Sequence, residues 1–169
     1  MPKYQFHTTP ERSKLMSRIR GKGGKSEVLL ARELWHRGIR YRRNDKRIMG
    51  TPDIAITKYK VAVFIDGEFW HGYDWENRKH SIKSNRDYWI PKIEKNRLRD
   101  IEVNHKLREE GWFVLRFWEK DLKKDINFCI EKIQDAILYQ TELKGLLHKL
   151  WEETDELDDL YWEDFDVIQ

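Results

Sequence analysis

Asp53 opens a short apolar run, DIAIT, and a second run, VAVFIDGE, ends on Asp66 and Glu68, with His71 three residues further on. Side chains alternate along a strand, so Phe64, Asp66 and Glu68 share one side if the strand persists that far. With Asp53 one hairpin away, three carboxylates converge at one end of a sheet. Hard oxygen donors gathered in this way suit Mg²⁺, which clamps a phosphate and lowers the pKa of a bound water. The structural alternative is that Asp53 caps a turn after Pro52 and that Asp66 and Gly67 form an ordinary turn.

A second signal lies in the long helical pattern over residues 84–110. Helical spacing from Trp89 puts Ile93, Asn96, Asp100, Val103 and Leu107 on one stripe, so two polar residues occupy a face that should be buried. Buried polar groups need partners, and His71 is a candidate. An Asp–His pair orients the imidazole and stabilises its protonated form, as a general base requires. The alternative is a structural role in which Asp100 accepts a hydrogen bond from backbone.

The elements that must position these groups follow from periodicity and punctuation. Ser26 reads as the N-cap of a helix to about Arg37, with Val28, Leu30, Leu34 and Trp35 as its apolar stripe and Gly38 closing it. Ile39–Arg43 reads as a short strand. DIAIT and VAVFID, joined by KYK, read as a strand pair, GWFVLRFW as a further strand, and 121–139 as a helix with Leu122, Ile126, Ile130, Ile133 and Ile137 on one face. Strand, strand, long helix, strand, helix predicts an α/β domain whose sheet is partly parallel through the long crossover.

The 169 residues suit one domain with a core that needs no disulfide or metal staple. The single Cys129 cannot pair internally, and neither a signal peptide nor a membrane span is evident, so a cytoplasmic protein is expected. Residues 151–169 hold nine of the 30 acidic residues and no Lys or Arg, which leaves 33 basic against 21 acidic side chains in residues 1–150. That balance suits a polyanion such as a nucleic acid, because Lys and Arg on phosphates release counterions; the alternative is a solvated, highly charged surface. RSKLMSRIRGKGGK, with Arg18, Arg20, Lys22 and Lys25, reads as a flexible phosphate-contacting segment. The tail, with Trp151, Tyr161, Trp162 and Phe165 among its acids, reads either as a solvated disordered segment or as one that folds back on the basic face.

Several motifs together resemble the very short patch repair (Vsr) endonucleases. They are MSRIRGK at 16–22, KSE at 25–27, TPDI at 51–54, VAVFIDGEFWHG at 61–72, NRDYWIPKIEKNRLRD at 85–100 and GWFVLRFWE at 111–119. The resemblance implies a restriction-endonuclease-like fold in residues 1–150, with a central mixed sheet flanked by helices and an acidic tail at 151–169. It implies a Mg²⁺-dependent enzyme that nicks double-stranded DNA at T·G mismatches, with mismatch-repair proteins as possible partners. Alternatives are a related nuclease of restriction or defence, or a mismatch-binding module that does not cut. By position, Asp53 is a metal ligand joined by the Ile65 carbonyl, Asp66 stands where many members have His or Asp, and Glu27 holds metal-bound water. His71 activates the attacking water with Asp100 as its acidic partner. Phe69, Trp70 and Trp89 match the aromatics that wedge into the base stack, while core packing is the expectation for Trp112, Phe117 and Trp118.

The chain departs from the family at its structural zinc. The usual ligands are replaced by Glu68, Tyr73, Trp75 and Lys120, and Cys129 on a helix cannot rebuild a four-ligand site. No zinc is therefore expected. The loop is expected to be held by packing of Tyr73 and Trp75 or by a polar network, with Glu68 free to act as a further Mg²⁺ ligand.

Overall fold

VAVFID is apolar almost throughout because it forms a central strand covered on both faces. The computed structural model describes residues 9–17 and 24–163. The elements are α1 (Pro10–Ser17), α2 (Lys25–His36), β1 (Arg42–Arg43), β2 (Ile54–Ile56), β3 (Val61–Asp66), α3 (Trp75–Arg78), a 3-10 turn at Lys79–Ser81, α4 (Arg86–Glu109), β4 (Phe113–Trp118), α5 (Glu119–Lys124) and α6 (Ile126–Glu163). The strands lie in the order β1-β2-β3-β4, antiparallel across the first two pairings and parallel between β3 and β4. This mixed sheet between helices is the α/β architecture of the restriction-endonuclease-like fold.

Alternation sorts the central strands between two cores. Val61 and Val63 pack with Leu30 and Leu34 of α2, Leu122 of α5, and Ile130 and Ile133 of α6. Ala62 and Phe64 pack with Val103 and Leu107 of α4. Asp66, two residues past Phe64, thus follows it onto the α4 face, and Arg116 follows Val114 there from β4. Register places Phe64 beside Arg116 and Asp66 beside Trp118.

Several local expectations are corrected. The N-cap of α2 is Gly24, and Ser26 is a buried residue of the first turn. The buried stripe is Leu30, Ala31 and Leu34, whereas Val28 is exposed and Trp35 lies outside, covered by the Arg40 guanidinium at 3.9 Å. Gly38 does close the helix: at φ +78° its N–H bonds the Trp35 carbonyl, and the Ile39 N–H bonds that of Leu34. Only Arg42–Arg43 of the expected first strand pairs. Residues 10–17 form α1, and Arg18, Arg20 and Lys22 lie outside the described residues.

The expected helix over 121–139 is two. Asp125 is extended, and its Oδ1 accepts the Phe128 N–H at 3.0 Å, which ends α5 and starts α6. At 38 residues against 24 for α4, α6 is the longest helix among the described residues. The acidic stretch through Glu163 continues α6 without a break, in place of the expected separate disordered or folded-back tail, and residues 164–169 lie outside the described residues.

Candidate active site

β2 pairs with β3 only as far as Val63, so the next residue facing that edge, Ile65, has no strand partner there. Its N–H is taken by Asp53 Oδ2 at 2.7 Å. N–H and C=O of one strand residue share an edge, so the Ile65 carbonyl faces the same gap as Asp53. Burial raises the Asp53 pKa; the Ile65 hydrogen bond opposes this, and the Glu27 and Asp66 charges add to the rise. Glu27, buried in the first turn of α2, accepts hydrogen bonds from Arg43 and Asn44.

The histidine lies across the same opening. His71 Nδ1 is 2.6 Å from Asp100 Oδ2 and 3.4 Å from Asp66 Oδ1. Burial pushes the Asp100 pKa up, but the His71 hydrogen bond and the Arg116 charge outweigh it and hold the carboxyl below its ordinary value. The expected Asp100–His71 pair is therefore present. Asn96, one turn earlier on α4, donates to the Trp70 carbonyl at 3.0 Å and so ties the same loop by its backbone. Asp53, Ile65, Asp66, His71 and Asp100 line one open cavity of about 470 Å³.

Three carboxylates do not converge here. The strand stops at Asp66, and Glu68 turns away to accept the Lys120 N–H at 2.9 Å, outside this cavity. Asp66 is clamped by Arg116 Nη1, at 3.0 and 2.8 Å from its two oxygens. Among the described residues, no three acidic, His or Cys side chains form a metal-holding group. Mg²⁺ needs less than that, since it takes one or two carboxylates and keeps water and substrate phosphate as its other ligands. Asp53, with its free oxygen, the carbonyl edge of Ile65 beside it and surplus negative charge around it, fits such an ion; Asp66 and Glu68, as oriented, do not.

The aromatics form a cluster between the loop that carries His71 and the first turn of α4; Phe69 and Trp89 line a neighbouring cavity with Glu68, Tyr73 and Trp75. Ring centroids lie 5.4 Å apart for Phe69–Trp70, 5.3 Å for Phe69–Trp89 and 5.4 Å for Trp70–Trp89, all edge to face. Phe69 and Trp70 remain 43% and 38% exposed, large for apolar rings so well buttressed. Phe117 is buried, Trp112 packs under α4, and Trp118 meets Tyr73 edge-on, as the packing reading expects. Lys25 is exposed at the start of α2.

Gly72 fixes how closely this loop approaches α4. At φ +65°, a Cβ there would lie 2.8 Å from Arg97 Cδ and 3.0 Å from Ile93 Cγ2. Gly72→Ala is expected to cost about 1–2 kcal/mol from the left-handed backbone alone. Pushing the loop off α4 would also move His71, so nicking should fall more than stability; denaturant titration beside a cleavage assay checks both.

Sequence reasoning missed Arg116, a lone charge within an apolar strand pattern, and Arg99, which lines the same cavity and helps hold Asp100 ionised. The misplaced charge in FVLRFW was the available signal for Arg116. Glu68, Tyr73 and Lys120, three of the four positions where the sequence reading looked for zinc ligands, are also neighbours. Besides the Glu68–Lys120 bond, Lys120 Nζ lies 3.3 Å from the Tyr73 ring centroid, Tyr73 packs on Trp118 at 5.1 Å, and Trp75 is buried.

A family model described as DNA mismatch endonuclease Vsr matches residues 4–77. The type II nicking enzyme V.NmeDIP of Neisseria meningitidis serogroup C is 54% identical over 130 residues, 76% of this chain and 88% of that protein. The chain belongs to the Vsr family. V.HpaIIP of Haemophilus parainfluenzae, also named a type II nicking enzyme, is 54% identical over 132 residues, 76% of this chain and 93% of that protein. The DNA mismatch endonuclease Vsr of Escherichia coli K12 is 34% identical over 118 residues, 69% of this chain and 74% of that one. This Vsr protein is thus a DNA endonuclease, and no described helix is long and apolar enough to cross a membrane.

Proposed function

We propose that this Vsr endonuclease nicks double-stranded DNA at T·G mismatches, on the thymine strand, by Mg²⁺-dependent phosphodiester hydrolysis. The observation that carries the reading is the His71–Asp100 pair facing Asp53 in one cavity, with exposed Phe69 and Trp70 on the same loop as the histidine. With Nδ1 committed to Asp100, Nε2 is the ring atom that takes the proton of the attacking water. Asp100, held ionised, stabilises the imidazolium that results. Asp53 and the Ile65 carbonyl would hold Mg²⁺, with Glu27 behind them; the ion supplies Lewis-acid charge to the phosphate and a more acidic water.

The aromatic cluster accounts for substrate choice. Wedging rings between bases costs a few kcal/mol of unstacking, and the cost is least where pairing is already weakened. Trp70→Ala should therefore cut the T·G-to-matched rate ratio more than it slows cleavage of DNA already bound. Single-turnover rates on both duplexes measure this; an unchanged ratio would remove Trp70 from recognition.

Zinc has no place in this account. Glu68, Tyr73, Trp75 and Lys120 offer one carboxylate and no thiolate or imidazole, a donor set that does not suit a structural zinc. The Glu68–Lys120, Lys120–Tyr73 and Tyr73–Trp118 contacts tie the loop to the end of β4. Elemental analysis of protein purified without chelator should find far less than one zinc per chain, and stoichiometric zinc would refute this.

The name type II nicking enzyme, carried by V.NmeDIP and V.HpaIIP, favours a second reading, nicking at another duplex target. Incubating the protein with Mg²⁺ and matched, T·G and branched duplexes separates the two. Nicks confined to T·G support the proposal, nicks on matched DNA alone support the second reading, and no nick on any substrate sinks both.

A further inference from the structure

Arg116 has no part in the chemistry proposed so far, yet its side chain joins Asp66, Asp100 and Asn104. It lies on the α4 face of β4, only 19% exposed, with its guanidinium 4.4 Å from the centroid of the Phe64 ring. Nη1 grips both oxygens of Asp66, Nη2 lies 3.3 Å from Asp100 Oδ1, and Nε donates to Asn104 Oδ1 at 2.9 Å. Asp100 and Asn104 are one turn apart on α4, so a single planar fork bridges the end of β3 to two successive positions of the helix.

The two oxygens of Asp100 are divided between partners: Oδ1 faces Arg116 and Oδ2 faces His71. A carboxylate gripped at one oxygen only can swing about its own bond, and the imidazole would swing with it. With Oδ2 hydrogen-bonded to His71 and Oδ1 in an ion pair with Arg116 Nη2, both of its oxygens are restrained. We propose that Arg116 is a positioning residue for DNA cleavage: its guanidinium fork fixes Asp100, and through Asp100 the direction of His71 Nε2. The inference rests on the reading of His71 as general base. A direct role on a DNA phosphate is disfavoured, because all three nitrogens are engaged within the protein and one face is stacked on Phe64. Simple neutralisation of Asp66 would need a charge at that spot but no fork, and Lys supplies the charge without the fork.

The test uses single-turnover nicking of a cleavable duplex, with DNA affinity and its salt dependence measured in parallel. Arg116→Met should slow nicking about 10²-fold, the scale of an ångström's misplacement of a catalytic group. Its affinity should stay within about threefold and its salt slope unchanged. Arg116→Lys should remain at least about tenfold slow, because an ammonium ion cannot span Asp66, Asp100 and Asn104 at once. Because Arg116→Met leaves Asp66 unpaired, the Asp66→Asn/Arg116→Met pair is compared with Asp66→Asn alone. It should remain about 10²-fold slower than Asp66→Asn. Full activity in Arg116→Lys, or a double variant as fast as Asp66→Asn, would overturn the inference in favour of charge neutralisation. A salt slope lower by about one would overturn it in favour of a phosphate contact. His71→Ala run alongside separates the two levels. If it nicks at the parental rate, the general-base reading fails; if it is slow while Arg116→Met is not, only the role of Arg116 fails.

Discussion

Asp53→Ala is expected to reduce Mg²⁺-dependent nicking at least about 10³-fold, because Lewis-acid stabilisation at a phosphate is worth several kcal/mol. DNA binding should change little, since Phe69 and Trp70, the proposed wedge, lie on a different loop. The carboxylate also accepts the Ile65 N–H, and alanine would leave that group unpaired at a cost of about 1–3 kcal/mol. Asp53→Asn separates the two roles: its amide oxygen can still accept the bond, while the charge is gone. The sign of the pKa shift sharpens this. Burial raises the folded-state pKa of Asp53 above that of the unfolded chain, so the folded state is disfavoured as pH climbs through that window and the group ionises. At neutral pH and without metal, Asp53→Asn should melt no lower than the parent while being as inactive as Asp53→Ala. A charge kept at a cost in stability is what a metal-binding role predicts. Nicking by either variant at the parental rate would place the metal elsewhere.

His71→Ala is the second large effect. Loss of a positioned general base should slow the chemical step about 10²–10⁴-fold with DNA affinity nearly unchanged. The geometry makes this specific, because Asp100 at 2.6 Å leaves only Nε2 for the water. Single-turnover rates at saturating protein isolate the step. A rate within threefold of the parent would mean that some other group takes the proton.

Much of this site was legible in the sequence because it follows from strict periodicities. Helical spacing from Trp89 put Asp100 on the inner face of α4, where it meets His71. Strand alternation put Phe64 and Asp66 on one side, and the structure has them there, facing α4. The same alternation failed for Glu68 because the strand ends first, and its partner, the Lys120 N–H, is 52 residues away. Arg116 and Asp66 are 50 residues apart and meet only because β3 and β4 pair in parallel at that register. Such pairings are fixed by tertiary packing, which no local pattern encodes. The start of α2 illustrates the opposite error: Ser26 has the chemistry of a cap, but the helix begins two residues earlier than that cap allows, and Ser26 is buried.

The central claim is that this endonuclease is directed by a T·G mismatch to one strand. Two duplexes that differ only in T·G against C·G, each labelled on either strand in turn, test it most directly under single-turnover conditions with Mg²⁺. The account predicts a nick in the thymine strand of the T·G duplex, leaving a 5′ phosphate, at a rate at least about tenfold above the matched duplex, the ratio that 1.4 kcal/mol of easier unstacking would give. Equal rates on the two duplexes, or cleavage of both strands at the mismatch, would contradict it.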